Sequence, residues 1–172
     1  SGSTWLTRML ESLPSTRTIF EPFHAKRGYQ ALAPYRYRYL PPDETDRVLR
    51  DTLEDVLSGR QRSVWSDQFN PLRPATYRRR LVKEVRINVL APWLTRAFPE
   101  ARFLFLVRHP IPLALSQLKG GWALSSRRLY QQSELADHYD LHRLNEFGWP
   151  TNGFESLVLF WAVENLVARQ CA

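Results

Sequence analysis

The sequence predicts an α/β chain: a parallel sheet flanked by helices. Two observations carry this. Strand-like runs alternate along the chain with stretches of helical period. One run, A-R-F-L-F-L-V-R (101–108), is almost unbroken in apolar residues, as in a central parallel strand buried on both faces. No internal repeat or low-complexity tract interrupts the pattern.

The elements follow in order. In 4–13, Trp5, Leu6, Met9, Leu10 and Leu13 fall at helical spacing, and Pro14 stops the pattern. R-T-I-F-E-P (17–22) reads as a short buried strand ending in a turn, and the Tyr-, Arg- and Pro-rich stretch 24–42 as a loop. P-D-E-T-D-R-V-L-R-D-T-L-E-D-V-L-S-G (42–59) reads as an amphipathic helix. Acidic residues occupy its first turn, Val48, Leu49, Leu53, Val56 and Leu57 form its stripe, and Gly59 is its C-cap. Residues 63–69 read as extended, and N-P-L-R-P after them as a loop. L-V-K-E-V-R-I (81–87) alternates like a strand. Residues 88–98 look helical, with Pro92 tolerable only in the first turn. After the run at 101–108, a helix starts at Pro110 or Pro112. Residues 120–150 yield no clear element, and 154–168 read as a long, largely apolar helix.

The chain has 172 residues, 44% of them hydrophobic, enough to bury a core. Its formal charge of +7 favours anionic partners or is simply a solvated basic surface. Lys26, Lys83 and Lys119 are the only lysines among 24 basic residues, and Arg is the better fork for phosphate and sulfate. With Cys171 alone, no intrachain disulfide forms, which favours a reducing compartment. No apolar run is long enough to cross a membrane.

Ligands of open α/β sheets bind beyond the carboxyl ends of strands. Two segments have that character. S-G-S-T-W (1–5) reads as a turn opening a helix, where backbone N–H groups and hydroxyls favour an anion. Alone it also reads as an ordinary helix cap, and G-x-x-x-x-G-K-[ST] is absent. In R-H-P-I-P-L-A-L-S, Arg108 closes a strand and Ser116 lies eight residues on. The pair suits one phosphate, or is a strand-closing Arg and a solvent-facing Ser.

Taken together, the two segments resemble the sulfotransferases that use 3′-phosphoadenosine 5′-phosphosulfate. There a loop of the type [KR]-S-G-[ST]-T-W holds the 5′-phosphosulfate, and R-x-P with a Ser eight residues after the Arg holds the 3′-phosphate. F-E-P-F-H (20–24) and V-K-E-V-R (82–86) look like landmarks of the carbohydrate-type and bacterial branches. The resemblance implies one partial domain over 1–172, with a P-loop-like central parallel sheet. It reads as an interior slice, without the first strand, the basic residue before Ser1 or the C-terminal region.

The resemblance implies that Ser1, Gly2, Ser3 and Thr4 cradle the phosphosulfate. Trp5 lies near the adenine or fills the core, and Arg108 and Ser116 hold the 3′-phosphate. The acceptor is a hydroxyl, most simply of a carbohydrate, and needs a base. Glu21 is the first candidate and His24 the second. Lys83 and Arg86 place charge near the sulfate, bind an acidic acceptor, or form structural ion pairs. His109 reads as a loop cap. His138 and His142 are at most half a metal site, and no metal is expected. Arg78–Arg80 and Arg127–Arg128 guide a polyanion or form a solvated edge. The expected location is cytoplasmic, or the Golgi lumen for an anchored parent. The competing readings are a P-loop nucleotide kinase and a non-catalytic basic module for acidic polymers. No nucleic-acid motif accompanies the charge.

Overall fold

The computed structural model describes residues 2–70, 77–122 and 124–171. It is a mixed α/β structure, with a small parallel two-stranded sheet and many helices. The chain divides into two compact units, Ser1–Arg36 with Thr45–Ile87, and Tyr37–Glu44 with Asn88–Ala172.

The first unit contains α1 (Gly2–Glu11), β1 (Thr16–Phe20), α2 (Arg47–Ser58) and β2 (Arg79–Lys83). β1 is T-R-T-I-F, rich in the β-branched residues that suit a pleated surface. It pairs in parallel with β2, from Thr16 opposite Arg79 to Phe20 opposite Lys83. Parallel pairing needs a crossover, and α2 lies in that connection. Pairing also brings both carboxyl ends to the same edge. The Glu21 N–H continues the ladder, donating to the Lys83 carbonyl at 2.8 Å.

Helix α2 shows why a local pattern can be read reliably. The Asp46 side chain caps it by accepting from the Leu49 N–H at 2.9 Å. Gly59 ends it at φ +89°, in the left-handed region where a side chain is strained. The acidic residues expected in its first turn precede it, because the helix starts at Arg47. Val48 departs from the expected stripe and is 66% exposed, while Leu49, Leu53 and Val56 are buried. Arg17 ties β1 to this helix. Its guanidinium donates to the Val56 carbonyl at 2.7 Å and to both oxygens of Asp67.

Other expectations for this unit are corrected. Gly2, Ser3 and Thr4 form the first turn of α1 itself rather than a preceding loop. Trp5, Met9 and Leu13 are exposed, Trp5 at 65%, so Trp5 does not fill the core; Thr7 is the buried residue of the helix. Residues 64–69 form turns rather than an extended segment. The second strand is shorter than 81–87, ending at Lys83 because pairing with β1 ends there. N-P-L-R-P falls largely outside the described residues.

The second unit contains α3 (Ala91–Ala97), α4 (Pro110–Lys119), α5 (Arg127–Tyr130), α6 (Ser133–His138) and α7 (Gly153–Arg169). Pro92 sits in the first turn of α3, where its missing N–H costs nothing. His109 caps α4 through its ring, which accepts from the Ile111 N–H. Asn152 and Glu155 cap α7 reciprocally, and Glu155 also accepts from Thr151. The core packs Tyr37, Tyr39, Val89, Leu129, Leu135, Phe160, Val163 and Val167. Much of it comes from 120–150, where the sequence offered no clear element.

The largest correction concerns 101–108. These residues form no strand. Among the described residues, no hydrogen-bond partner serves the backbone of 102–108. Phe103, Leu104, Leu106 and Val107 are exposed rather than buried on two faces. An apolar run becomes a strand only where a neighbour supplies the ladder.

Glu164 of α7 gives a testable consequence. Its Oε1 is shielded from solvent and has no hydrogen-bond partner among the described residues. Burial pushes its carboxyl up to about 8. An acid whose native pKa is raised loses native stability as pH climbs from its ordinary value of 4.5 towards 8. Glu164→Gln is therefore expected to raise the melting temperature more at about pH 8 than at about pH 5. Each kcal/mol corresponds to about 2–4 °C in a chain of this size. Thermal melts at the two pH values check it, and equal shifts would refute the buried, protonated carboxyl.

Candidate functional site

The first unit gathers charge where β1 ends. The chain turns at Glu21 with φ +41°, a conformation costing a non-glycine residue about 1–3 kcal/mol. The turn is closed by His24 N–H to the Glu21 carbonyl, Gly28 N–H to the His24 carbonyl and Tyr29 N–H to the Pro22 carbonyl. Gly28 is required by close approach: a Cβ there would lie 2.2 Å from the Pro22 carbonyl oxygen and 2.7 Å from the His24 nitrogen.

At this turn, Glu21 meets two cations. Lys83 donates to its Oε1, and Arg86 donates to its Oε2 at 2.9 Å. Arg86 also reaches Glu84 at 3.1 Å. Glu84 accepts from the Phe23 N–H at 2.9 Å and the Val85 N–H at 2.8 Å. Glu21, Lys83 and Arg86 are all buried. Two carboxylates and two cations balance, which makes their burial tolerable. Burial pushes the Glu21 carboxyl up, but Lys83 and then Arg86 outweigh it and hold it below the ordinary carboxylate range. For Glu84, burial prevails over the Val85 and Phe23 N–H groups and raises its pKa. Neighbouring carboxyls with oppositely shifted pKa values are a mark of acid–base sites.

His24 stands beside this cluster, half-buried. Its Nδ1 accepts from the N–H groups of Lys26 at 3.3 Å and Arg27 at 3.2 Å. Burial, then the charge of Arg86, lowers its pKa, so the ring is neutral at pH 7. With Nδ1 accepting, the proton of the neutral ring sits on Nε2, and His24 faces a ligand as a donor. Its ring lies 5.2 Å from that of Trp65, and Phe20 lies 5.1 Å from the same indole.

The remaining sequence-derived residues lie elsewhere. Ser1 is outside the described residues. Gly2, Ser3 and Thr4 open α1, where the first N–H groups lack intrahelical acceptors. Arg108 and Ser116 belong to the second unit, both exposed, with Ser116 on α4 about two turns after Arg108. No carboxylate among the described residues pairs with Arg108. His142 pairs with Asp137 at 2.7 Å, whereas His138 packs against Tyr39 and Tyr139, so the two imidazoles serve different partners.

The structure thus brings Glu21, His24, Lys83 and Arg86 together in one unit. Lys83 and Arg86 meet at Glu21 because Arg86 lies past the end of β2 and turns back to it. Sequence reasoning missed Glu84, Gly28, Arg27 and Trp65. Glu84 lies inside the quoted V-K-E-V-R, and an isolated Gly in a loop is the one signal that marked Gly28.

In chemical terms, an ionised carboxylate flanked by an ammonium and a guanidinium can take a proton from a hydroxyl while the cations stabilise a transferring anion. Comparison with known proteins gives a family match. A family model described as the sulfotransferase family covers residues 1–149. No curated protein matches the chain. No solved structure matches it either.

Proposed function

The chain belongs to the sulfotransferase family, and from that premise we propose that it transfers a sulfuryl group from 3′-phosphoadenosine 5′-phosphosulfate to a carbohydrate hydroxyl. The carrying observation is Glu21, held ionised between Lys83 and Arg86 at the carboxyl end of the parallel pair.

Each residue then has a role. The opening turn of α1, with Gly2, Ser3 and Thr4, takes the 5′-phosphosulfate through N–H groups and the positive end of the helix. Trp5, exposed on that helix, offers its ring to the adenine. Arg108 and Ser116 take the 3′-phosphate by a charge-assisted bond and a hydroxyl. Glu21 accepts the proton of the acceptor hydroxyl as its oxygen bonds to sulfur. The bond from sulfur to the bridging phosphate oxygen breaks, and adenosine 3′,5′-bisphosphate leaves. Lys83 has two further N–H donors beyond the one given to Glu21, enough to steady the sulfuryl oxygens. His24 donates from Nε2 to the acceptor. The work is positioning and electrostatic stabilisation rather than covalent catalysis.

Radiolabelled sulfate transfer to a panel of oligosaccharides tests this reading. Arg108→Ala is expected to weaken donor binding by about tenfold or more, the worth of one charge-assisted hydrogen bond. Wild-type donor affinity in that variant would remove Arg108 from the site. Thermal protection by adenosine 3′,5′-bisphosphate, and not by ATP–Mg, is the companion result; the reverse order would favour nucleotide phosphorylation.

A further inference from the structure

The charge of the chain is unevenly divided. The first unit carries 15 Lys and Arg against 8 Asp and Glu, so the whole formal +7 lies there, while the second carries nine of each. Many of the first unit's acidic groups are already committed. Glu21 and Glu84 serve Lys83 and Arg86, and Asp67 serves Arg17 and Arg62. The excess of positive charge in this unit favours an anionic partner.

One cation of that surplus is prepared for a ligand. Arg27 is exposed, and its guanidinium lies 4.9 Å from the centroid of the Trp65 ring. Among the described residues, no carboxylate pairs with it. A guanidinium laid on an indole keeps its N–H fork free while its side chain is held in place. The platform is continuous with the reacting groups. Trp65 packs edge-on against Phe20 at 5.1 Å, Lys83 lies 4.8 Å over the Phe20 ring, and Lys83 bonds to Glu21. His24 packs against Trp65 on the way, with Nε2 as a donor for a hydroxyl. An acceptor seated here meets aromatic surface, a neutral donor and a cation, with Phe20 and Lys83 linking Trp65 to the base.

We propose that Arg27, stacked on Trp65, is a specificity-determining residue that binds an anionic group of the acceptor, so that the acceptor is an acidic sugar bearing a carboxylate or a sulfate ester. The inference rests on the sulfotransferase reading and narrows its acceptor class. A neutral sugar leaves the Arg27 fork without a partner and gains nothing from the charge of this unit.

The test compares a uronate-containing oligosaccharide, its carboxyl-reduced neutral counterpart and a sulfated counterpart. Transfer kinetics and calorimetric binding are both measured. The acidic sugars are expected to exceed the neutral one by about tenfold or more in kcat/KM, the worth of a charge-assisted hydrogen bond. Which acidic sugar leads distinguishes a carboxylate from a sulfate ester. Arg27→Gln is expected to erase the preference, and Trp65→Leu to reduce it. Arg143→Gln, an exposed arginine of the second unit, keeps it. Equal use of neutral and acidic sugars, or an equal fall for both in Arg27→Gln, overturns the proposal while leaving sulfate transfer intact. Arg27-dependent binding without transfer to any sugar overturns the sulfotransferase reading and leaves the anion site standing.

Discussion

Glu21→Gln is expected to lower kcat for sulfate transfer by about 10²–10⁴-fold, the usual yield of a general base. The substitution keeps the size of the side chain and one hydrogen-bond acceptor, so the turn after β1 has little reason to rearrange. What it removes is the negative charge between Lys83 and Arg86. Arg86 retains Glu84, whereas Lys83 is left buried without a counter-ion, so a fall in melting temperature accompanies the loss of rate. The two effects separate by experiment. If Glu21 were only an ion-pair anchor, saturating rates measured well below the melting temperature would stay within about threefold of wild type. Such a result would assign the proton to another group. The pH dependence gives a second readout. A carboxyl held below 4.5 in the native state contributes stability that is fully present above its unfolded value and is lost as pH falls through the lower native value. The acid limb of activity, and the acid unfolding linked to Glu21, therefore both lie below about pH 4.5, and both move in Glu21→Gln.

This cluster also shows what a sequence discloses and what it hides. Glu21 is legible because T-I-F-E-P carries its own strand and its own stop, so a carboxylate falls at a strand's carboxyl end. Asp46 and Gly59 are legible for the same reason: caps act over three or four residues. The convergence of Lys83 and Arg86 on Glu21 is not local. It depends on β1 pairing with β2 in one register, some sixty residues apart in the chain, and on a turn that Gly28 alone can close. Residues 101–108 fail in the opposite direction. Their composition is that of a buried strand, but composition supplies no hydrogen-bond partner, and the run stands exposed. The Tyr-rich stretch 24–42 has the composition of a loop. In both units it supplies buried residues, Tyr29, Leu32 and Tyr35 in one and Tyr37, Tyr39 and Leu40 in the other. Irregular backbone can still bury rings when side chains bond its polar groups. Gln132 does so, donating to the Tyr37 carbonyl and accepting from the Tyr39 N–H.

The largest loss of stability is expected from Arg17→Met. Arg17 is 3% exposed, deep in β1, a position where a charge survives only if every donor is met. Its Nε and Nη2 form a two-point pair with Asp67 at 2.7 and 3.0 Å, and Nη1 satisfies the Val56 carbonyl near the C-terminus of α2. Gly59, just beyond, leaves room for that guanidinium: a Cβ there would lie 3.3 Å from Nη1. Burial alone would lower the arginine's pKa, but the Asp67 bond and charge outweigh it, and the same contact pulls the Asp67 carboxyl down. Removing one partner of a buried pair costs about 3–5 kcal/mol, because the other charge stays behind uncompensated. In a chain of this size that corresponds to roughly 6–20 °C in melting temperature. Asp67 keeps Arg62 at 3.1 Å, which places the expected cost towards the lower end. The double variant Arg17→Met/Asp67→Leu should recover part of the loss, since no buried charge is left unpaired, and a double-mutant cycle measures that recovery as the coupling between the two sites. A single variant that melts within about 2 °C of wild type would show that the pair does not hold β1 to α2. The edge carrying Glu21 would then owe its geometry to the β1–β2 ladder alone.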